Sequence, residues 1–201
     1  MPSHAPLVLH EAAPALGQRP CESLPARAGP QAPSLLPSCL PWAEHAWQTP
    51  AHALSQQCRF SGHTIVPYSV AEHSVRVSEL LDREGASRIV QLWGLLHDAS
   101  EAYLVDIPSP LKHTPAFDGY RIAEAWLMVA VCKRFGLPFH EPEEVRKADA
   151  VLLATEARDL MAYRPEHWAG LTERPLPGII KPWQPESAKR EFLARYEELN
   201  R

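Results

Sequence analysis

From Thr49 to the C-terminus the apolar residues recur at helical spacing, and no run of four or more positions alternates convincingly enough to be a strand. Repeats at i, i+3, i+4 and i+7 suit one face of an amphipathic helix and cannot be used by a pleated strand. In "YSVAEHSVRVSELLDREG", Val70, His73, Val77, Leu80 and Leu81 share a face, and Gly85 is the expected stop. "TPAHALSQQCRF" offers Thr49 as an N-cap with Pro50 at the first helical position. "ASRIVQLWGLLHDASEAYL" turns Ile89, Leu92, Trp93 and Leu96 inward and is expected to run on until Pro108 stops it. "AFDGYRIAEAWLMVAVCKRFGLP" is apolar nearly all round, which predicts a central helix ended by Gly136 and Pro138. "EPEEVRKADAVLLATEARDLMAYRP" starts near Pro142 and ends before Pro165, and "QPESAKREFLARYEEL" supplies a last helix through Phe192, Tyr196 and Leu199. Only "HTIVPY" reads as a short extended stretch, and no segment repeats. The expected fold is all-α, a bundle of about six helices over residues 46–201.

Residues 1–45 read differently. Ten of the 21 prolines fall in the first 50 positions, among Ala, Ser and Gly with no apolar period. Such a segment cannot bury enough surface to offset its ordering entropy, so 1–45 is expected to be a disordered extension, with Trp42 and Trp47 as anchors where order begins. The remainder is long enough to bury a core, with 45% hydrophobic and 22% charged residues across the chain. A net charge of −4 argues against a nucleic-acid polymer as partner while leaving a small anionic substrate open. No apolar run approaches the 18 or more residues of a membrane span, and the N-terminus lacks a secretory pattern. Cys21, Cys39, Cys58 and Cys132 form no C-x-x-C pair, so reduced thiols and a cytoplasmic location are expected.

The residues that could carry chemistry start with "LLHDASEAYLVDIP", where His97, Asp98 and Glu101 interrupt a buried helix. Glu101 is i+4 from the first and i+3 from the second, so a continuous helix puts all three on one face. A fraying helix end would explain them too, although carboxylates there meet the negative end of the helix dipole. His73 lies in an apolar stripe, where a lone histidine is more often a satisfied core residue. Asp149 follows helical spacing with Val145, Leu152 and Glu156, at a stripe edge that could equally face water. Together they offer two imidazoles and two carboxylates from three helices. A divalent first-row metal accepts that mixed set, with two octahedral positions left for water and substrate. Arg59 can offer a bidentate fork to phosphate. Lys112 and His113, after the Pro-Ser-Pro turn, either add charge or belong to a solvated loop. His52 and His63 are near in sequence but carry a weaker signal, and Arg158 with Glu156 and Asp159 reads as a surface charge face.

The runs "VAEHSVRVSELL", "GLLHDASEAYLVDIPSPLK" and "VRKADAVLLATEARDL" resemble the H…HD…D pattern of the HD superfamily of metal-dependent phosphohydrolases, over about residues 50 to 160. They are similar in particular to its small single-domain branch, which includes bacterial 5′-deoxynucleotidases and phage deoxynucleoside triphosphate hydrolases. The resemblance implies that His73, His97, Asp98 and Asp149 hold one divalent ion (Mn, Co, Mg, Fe or Zn). It implies that Glu101 orients or deprotonates the attacking water and that Asp106 is a second acidic position near substrate or leaving group. Arg59 matches a basic residue pointed at phosphate, and Phe60 stands more loosely where an aromatic packs on the sugar. Lys112 is carried as a further substrate contact. The implied activity is hydrolysis of a nucleotide, most naturally a deoxynucleotide, by a protein that can form a homodimer. A degenerate module that binds nucleotide as a sensor is the alternative. A di-iron oxygenase on the same scaffold would need a second ligand cluster, and the sequence offers none.

Overall fold

In the computed structural model the described residues are 48–162, 171 and 173–201. The expected extension over 1–45, with Trp42 and Trp47, lies outside them. Among the described residues the secondary structure is helical, without strands: α1 (Gln48–Gln56), α2 (Val70–Arg83), α3 (Arg88–Leu96), one-turn α4 (Glu101–Leu104) and α5 (Ser109–Lys112), α6 (Asp118–Phe135), α7 (Glu143–Leu160) and α8 (Pro185–Leu199). "HTIVPY" contributes a single antiparallel bridge, Thr64 to Met161. No helix among the described residues is long and apolar enough to cross a membrane. Cys58 and Cys132 are free thiols.

Helix α2 is the centre of the bundle, packed against α1, α3, α7 and α8. It starts where Ser69 Oγ accepts the Glu72 N–H at 3.1 Å, satisfying a donor that has no partner inside the helix. It ends where Gly85 takes φ 77°, a left-handed turn that glycine adopts without steric cost. Val70, Ala71, Val77, Leu80 and Leu81 are buried along it. Fully burying each larger side chain contributes roughly 1.5–3 kcal/mol. Helix α3 approaches closely at Gly94, where an added Cβ would stand 2.4 Å from Leu81 Cδ1. Helix α8 closes the far side with Phe192 and buries Arg195. That guanidinium donates to Ser78 Oγ (3.0 Å), Ser78 O (3.3 Å) and Gln91 Oε1 (2.7 Å), and pairs with Glu198 (2.8 Å).

Four sequence expectations need correction. Helix α1 begins at Gln48, so Thr49 lies within the first turn rather than capping it; Pro50 is tolerated there because first-turn N–H groups have no helical acceptor. Ile89 belongs to the inward face by period, but it sits in the first turn of α3 at the exposed 82–89 corner and is 40% exposed. The 118–135 helix is not central: α6 buries only Leu127, Val131 and Cys132, and Ile122 is 57% exposed. Its apolar composition all round the helix gave no direction to the burial. The helix beginning at Arg88 also does not run to Pro108. It ends at Leu96, and the stretch leading into one-turn α4 is tightened by i→i−3 bonds such as Ala99 N–H to Leu96 O and Glu101 N–H to Asp98 O (both 3.0 Å).

Candidate metal centre

The tightening after Leu96 builds the site. With about three residues per turn, positions i and i+3 eclipse, so Asp98 and Glu101 stack on one side. Asp98 faces His73 from α2, and His73 in turn meets Asp149 from α7. His73 is fully buried, and its Nε2 lies 3.1 Å from Asp149 Oδ1, 3.2 Å from His97 Nε2 and 3.8 Å from Asp98 Oδ2. Asp98 Oδ2 is also 3.2 Å from His97 Nε2. Ligand atoms of His73, His97 and Asp149 all lie within 4.8 Å of one another, a group that could hold a metal ion. Asp98 borders that group and is shared with Arg59, whose Nη1 donates to Oδ2 at 3.2 Å.

Partners on the outer nitrogens set both tautomers. His97 Nδ1 lies 2.7 Å from the Gly94 carbonyl, which only accepts, so that nitrogen carries a proton. His73 Nδ1 lies 2.6 Å from Glu156 Oε1, a carboxylate held below its ordinary range: burial opposes ionisation, but Arg59 and His73 outweigh it. That nitrogen is a donor as well. Each imidazole therefore turns Nε2 inward, and two bare nitrogens 3.2 Å apart would set lone pair against lone pair. A cation or a shared proton resolves that repulsion.

The surrounding charge points the same way. Asp98, Glu101, Asp106, Glu124, Asp149 and Glu156 gather six carboxyl groups around two permanent cations, Arg59 and Lys112. His97 is pushed up to about 10: burial favours the neutral ring, but Asp98, then Asp149, overcome it. Asp149 falls to about 2 and Asp98 well below its ordinary range, both against the cost of burial; the bond to His73 holds the first and the charge on His97 the second. Glu101, only 3% exposed, rises to about 9 through burial and then through Asp98 and Asp106. Its Oε1 is 3.7 Å from Lys112 Nζ, and its Oε2 is a buried oxygen with no hydrogen-bond partner among the described residues. Two inward imidazole nitrogens, flanking carboxylates and a buried unpartnered oxygen fit a divalent ion better than they fit a core.

Asp106 and Phe60 meet at the edge. Phe60 N–H donates to Asp106 Oδ2 at 3.2 Å, and Asp106 N–H donates to Gln57 Oε1 at 3.3 Å. Gln57 Nε2 in turn donates to the Glu101 carbonyl at 2.9 Å. Phe60 (φ 55°), Ser61 (φ 50°) and Val105 (φ 61°) are the positive-φ non-glycine residues among those described, and they flank this junction from both sides. Left-handed backbone at such residues is costly and persists where surrounding contacts over-determine it.

The structure thus brings together Arg59, Phe60, His73, His97, Asp98, Glu101, Asp106, Lys112 and Asp149. Arg59 does not stand free for phosphate, because Nε is bonded to Glu156 (3.2 Å) and Nη1 to Asp98. Lys112 belongs to the site rather than to a solvated loop, held by Glu124 at 2.8 Å. His52, His63 and His113 are exposed. Glu156 corrects a sequence expectation: it is fully buried at the site, not on a surface charge face, and Asp159 is turned in to accept from Ile180 N–H. Of that trio only Arg158 is exposed. The period had signalled Glu156, seven residues after Asp149 on the stripe through Leu152. Gln57 and Tyr68 carried no comparable signal.

No protein-family profile matches this chain. It is similar to the uncharacterized protein YfdR of Escherichia coli K12, 36% identical over 152 residues, which cover 75% of this chain and 82% of YfdR. An uncharacterized protein of Rhodobacter capsulatus is 32% identical over 164 residues, 75% of this chain and 83% of that protein. At that identity and coverage the chain belongs to the same protein family as YfdR.

Proposed function

We propose that this protein is a divalent-metal-dependent phosphohydrolase of the HD type acting on nucleotides, most naturally deoxynucleotides. The observation that carries the reading is the pair of inward Nε2 atoms, set among the carboxylates of Asp98 and Asp149. His73, His97, Asp98 and Asp149 would hold the ion, which supplies Lewis acidity toward water and phosphoryl oxygens. Glu101 orients the attacking water and takes its proton at Oε2. Its carboxyl is held high partly by Asp98 and Asp106, so cancelling their charge returns it toward the range where a base works near neutral pH. Lys112, 3.7 Å from Glu101, brings positive charge to the phosphoryl group. Arg59 commits Nε and Nη1 to carboxylates and offers Nη2 to a phosphate oxygen. Phosphoryl transfer asks for little beyond such positioning and charge neutralisation.

The deciding experiment is a phosphate-release screen across dNMPs, NMPs and dNTPs, using metal-stripped protein with Mn²⁺, Co²⁺ or Mg²⁺ added back. Nucleoside with inorganic phosphate identifies a nucleotidase, and tripolyphosphate a triphosphohydrolase. Tight nucleotide binding without release would make the protein a sensor and end the hydrolase reading.

A further inference from the structure

Glu156 takes no part in the chemistry proposed above, yet it is a fully buried carboxylate (0% exposed) in contact with that site. Three donors converge on it. Oε1 receives His73 Nδ1–H at 2.6 Å and Tyr68 O–H at 2.9 Å, and Oε2 receives Arg59 Nε–H at 3.2 Å. Tyr68 is itself fully buried, in a small apolar cluster with Leu160 and Ile180, so its hydroxyl is aimed by packing. A buried ion pair adds little stability over apolar residues of the same volume, so stability alone does not account for a carboxylate here. Its geometry does. One oxygen obliges His73 to protonate Nδ1 and to turn Nε2 toward His97, Asp98 and Asp149. The other fixes the plane of the Arg59 guanidinium, whose Nη1 then reaches Asp98. Both devices come from a single side chain seven residues, about two turns, beyond Asp149 on α7.

We infer that Glu156 is a positioning residue of the candidate metal centre, setting the ligating nitrogen of His73 through one carboxylate oxygen and the orientation of Arg59 through the other. The inference rests on reading the cluster as a metal centre, and only its Arg59 arm depends on nucleotide hydrolysis. Outer partners of ligating histidines commonly control metal affinity by 10–100-fold.

The test titrates Mn²⁺ alone into metal-stripped full-length protein and follows thermal melts alongside. Glu156→Leu should melt cooperatively and bind Mn²⁺ about 10–100-fold more weakly than wild type. Glu156→Gln separates the two oxygens. Its Oε1 still accepts from His73, so Mn²⁺ affinity should stay within about threefold. Its amide would face Arg59 Nε donor to donor, so the KM for nucleotide should rise about tenfold with kcat less affected. A merely structural carboxylate would instead lower the melting temperature in both variants and leave Mn²⁺ affinity alone. Equal affinity in wild type and in a cooperatively melting Glu156→Leu overturns the inference. Where the leucine variant does not fold, Glu156→Asp, one methylene short of His73, takes its place with the same expected loss. Wild-type protein that binds Mn²⁺ but releases no phosphate ends the hydrolase reading, while the order wild type, Gln, Leu in affinity still supports Glu156. A wild type that binds no Mn²⁺ overturns both.

Discussion

Helix α2 carries two buried polar clusters, one around His73 and one around Ser78. At Ser78 the Arg195 guanidinium meets the hydroxyl, the backbone carbonyl and Gln91, whose amide is tied in turn to Asp82 and the Ala86 carbonyl. Donors and acceptors match, so the cluster joins α8 to the α2–α3 corner. At His73 the match is incomplete: six carboxyl groups surround two permanent cations, two imidazole Nε2 atoms stand 3.2 Å apart, and one buried oxygen, Glu101 Oε2, has no hydrogen-bond partner among the described residues. Burial of polar groups is common to both. What separates the structural knot from the candidate metal centre is the buried polar atom left unmatched, among the described residues, after the hydrogen bonds are assigned.

The sharpest way to break that comparison is at the unmatched oxygen. Under the proposed mechanism Glu101→Gln should lower kcat by about 10²–10⁴-fold while Mn²⁺ content and KM change little, because the carboxylate proposed to take the proton is gone and the proposed ligands remain. Turnover near the wild-type level would sink the proposed mechanism. Asp98→Ala should fail earlier, losing metal occupancy before any kinetic step is measured.

The saturated cluster should answer in stability instead. Arg195→Leu strands the Ser78 carbonyl and the Gln91 amide oxygen in the interior, a loss of about 2–5 kcal/mol with Mn²⁺ affinity unchanged. At roughly 2–4 °C per kcal/mol for a chain of this size, calorimetry resolves the drop easily. An Arg195 variant that instead lost metal at full stability would erase the distinction between the clusters.

A smaller effect lies in pH. His97 has an ordinary value of 6.5 and rises to about 10, and Glu101 rises from 4.5 to about 9. In both, the folded state holds its proton more tightly than the unfolded chain. Each stabilising contribution is complete below the lower value and is lost as pH rises through the higher one. Melting of the metal-stripped protein should therefore fall by several degrees between about pH 6.5 and 10. Mn²⁺ needs deprotonated ligands, so its protection should grow over the same interval. A flat or rising melting curve for metal-stripped protein would remove the excess-carboxylate account. The smallest effect belongs to residues 1–45: their removal should leave the helical circular dichroism, the cooperative melt and Mn²⁺ binding unchanged.

Much of the site was legible because helical period is a local property. His73 on the Val70–Val77–Leu81 stripe and Asp149 with Leu152 announce which face they share, and the fold class follows from the same repetition. What the period cannot carry is direction in three dimensions. The apolar surround of α6 said nothing about which neighbour would cover it, and Ile89 kept the right face at an uncovered corner. The break after Leu96 was hidden because no glycine or proline marks it; carbonyl-to-amide pairing at i→i−3 decides it. Glu156 was read by the charge of its neighbours Arg158 and Asp159 rather than by its place seven residues from Asp149. The partners of a buried carboxylate come from elements 83 to 97 residues away and leave no local trace.

Val105 has a consequence for anyone who would improve this protein. Its branched side chain holds φ 61° beside Asp106, a conformation that glycine adopts freely. Val105→Gly relieves about 1–3 kcal/mol of strain and offsets part of that by loosening the unfolded chain. A valine codon becomes a glycine codon by one base change, so a library screened for heat resistance reaches this exchange early. Such a screen would score it as a gain. The Asp106 carboxylate would lose the rigid backbone that aims it at the Phe60 amide, a loss that a melting curve would not register and the proposed phosphate-release assay would.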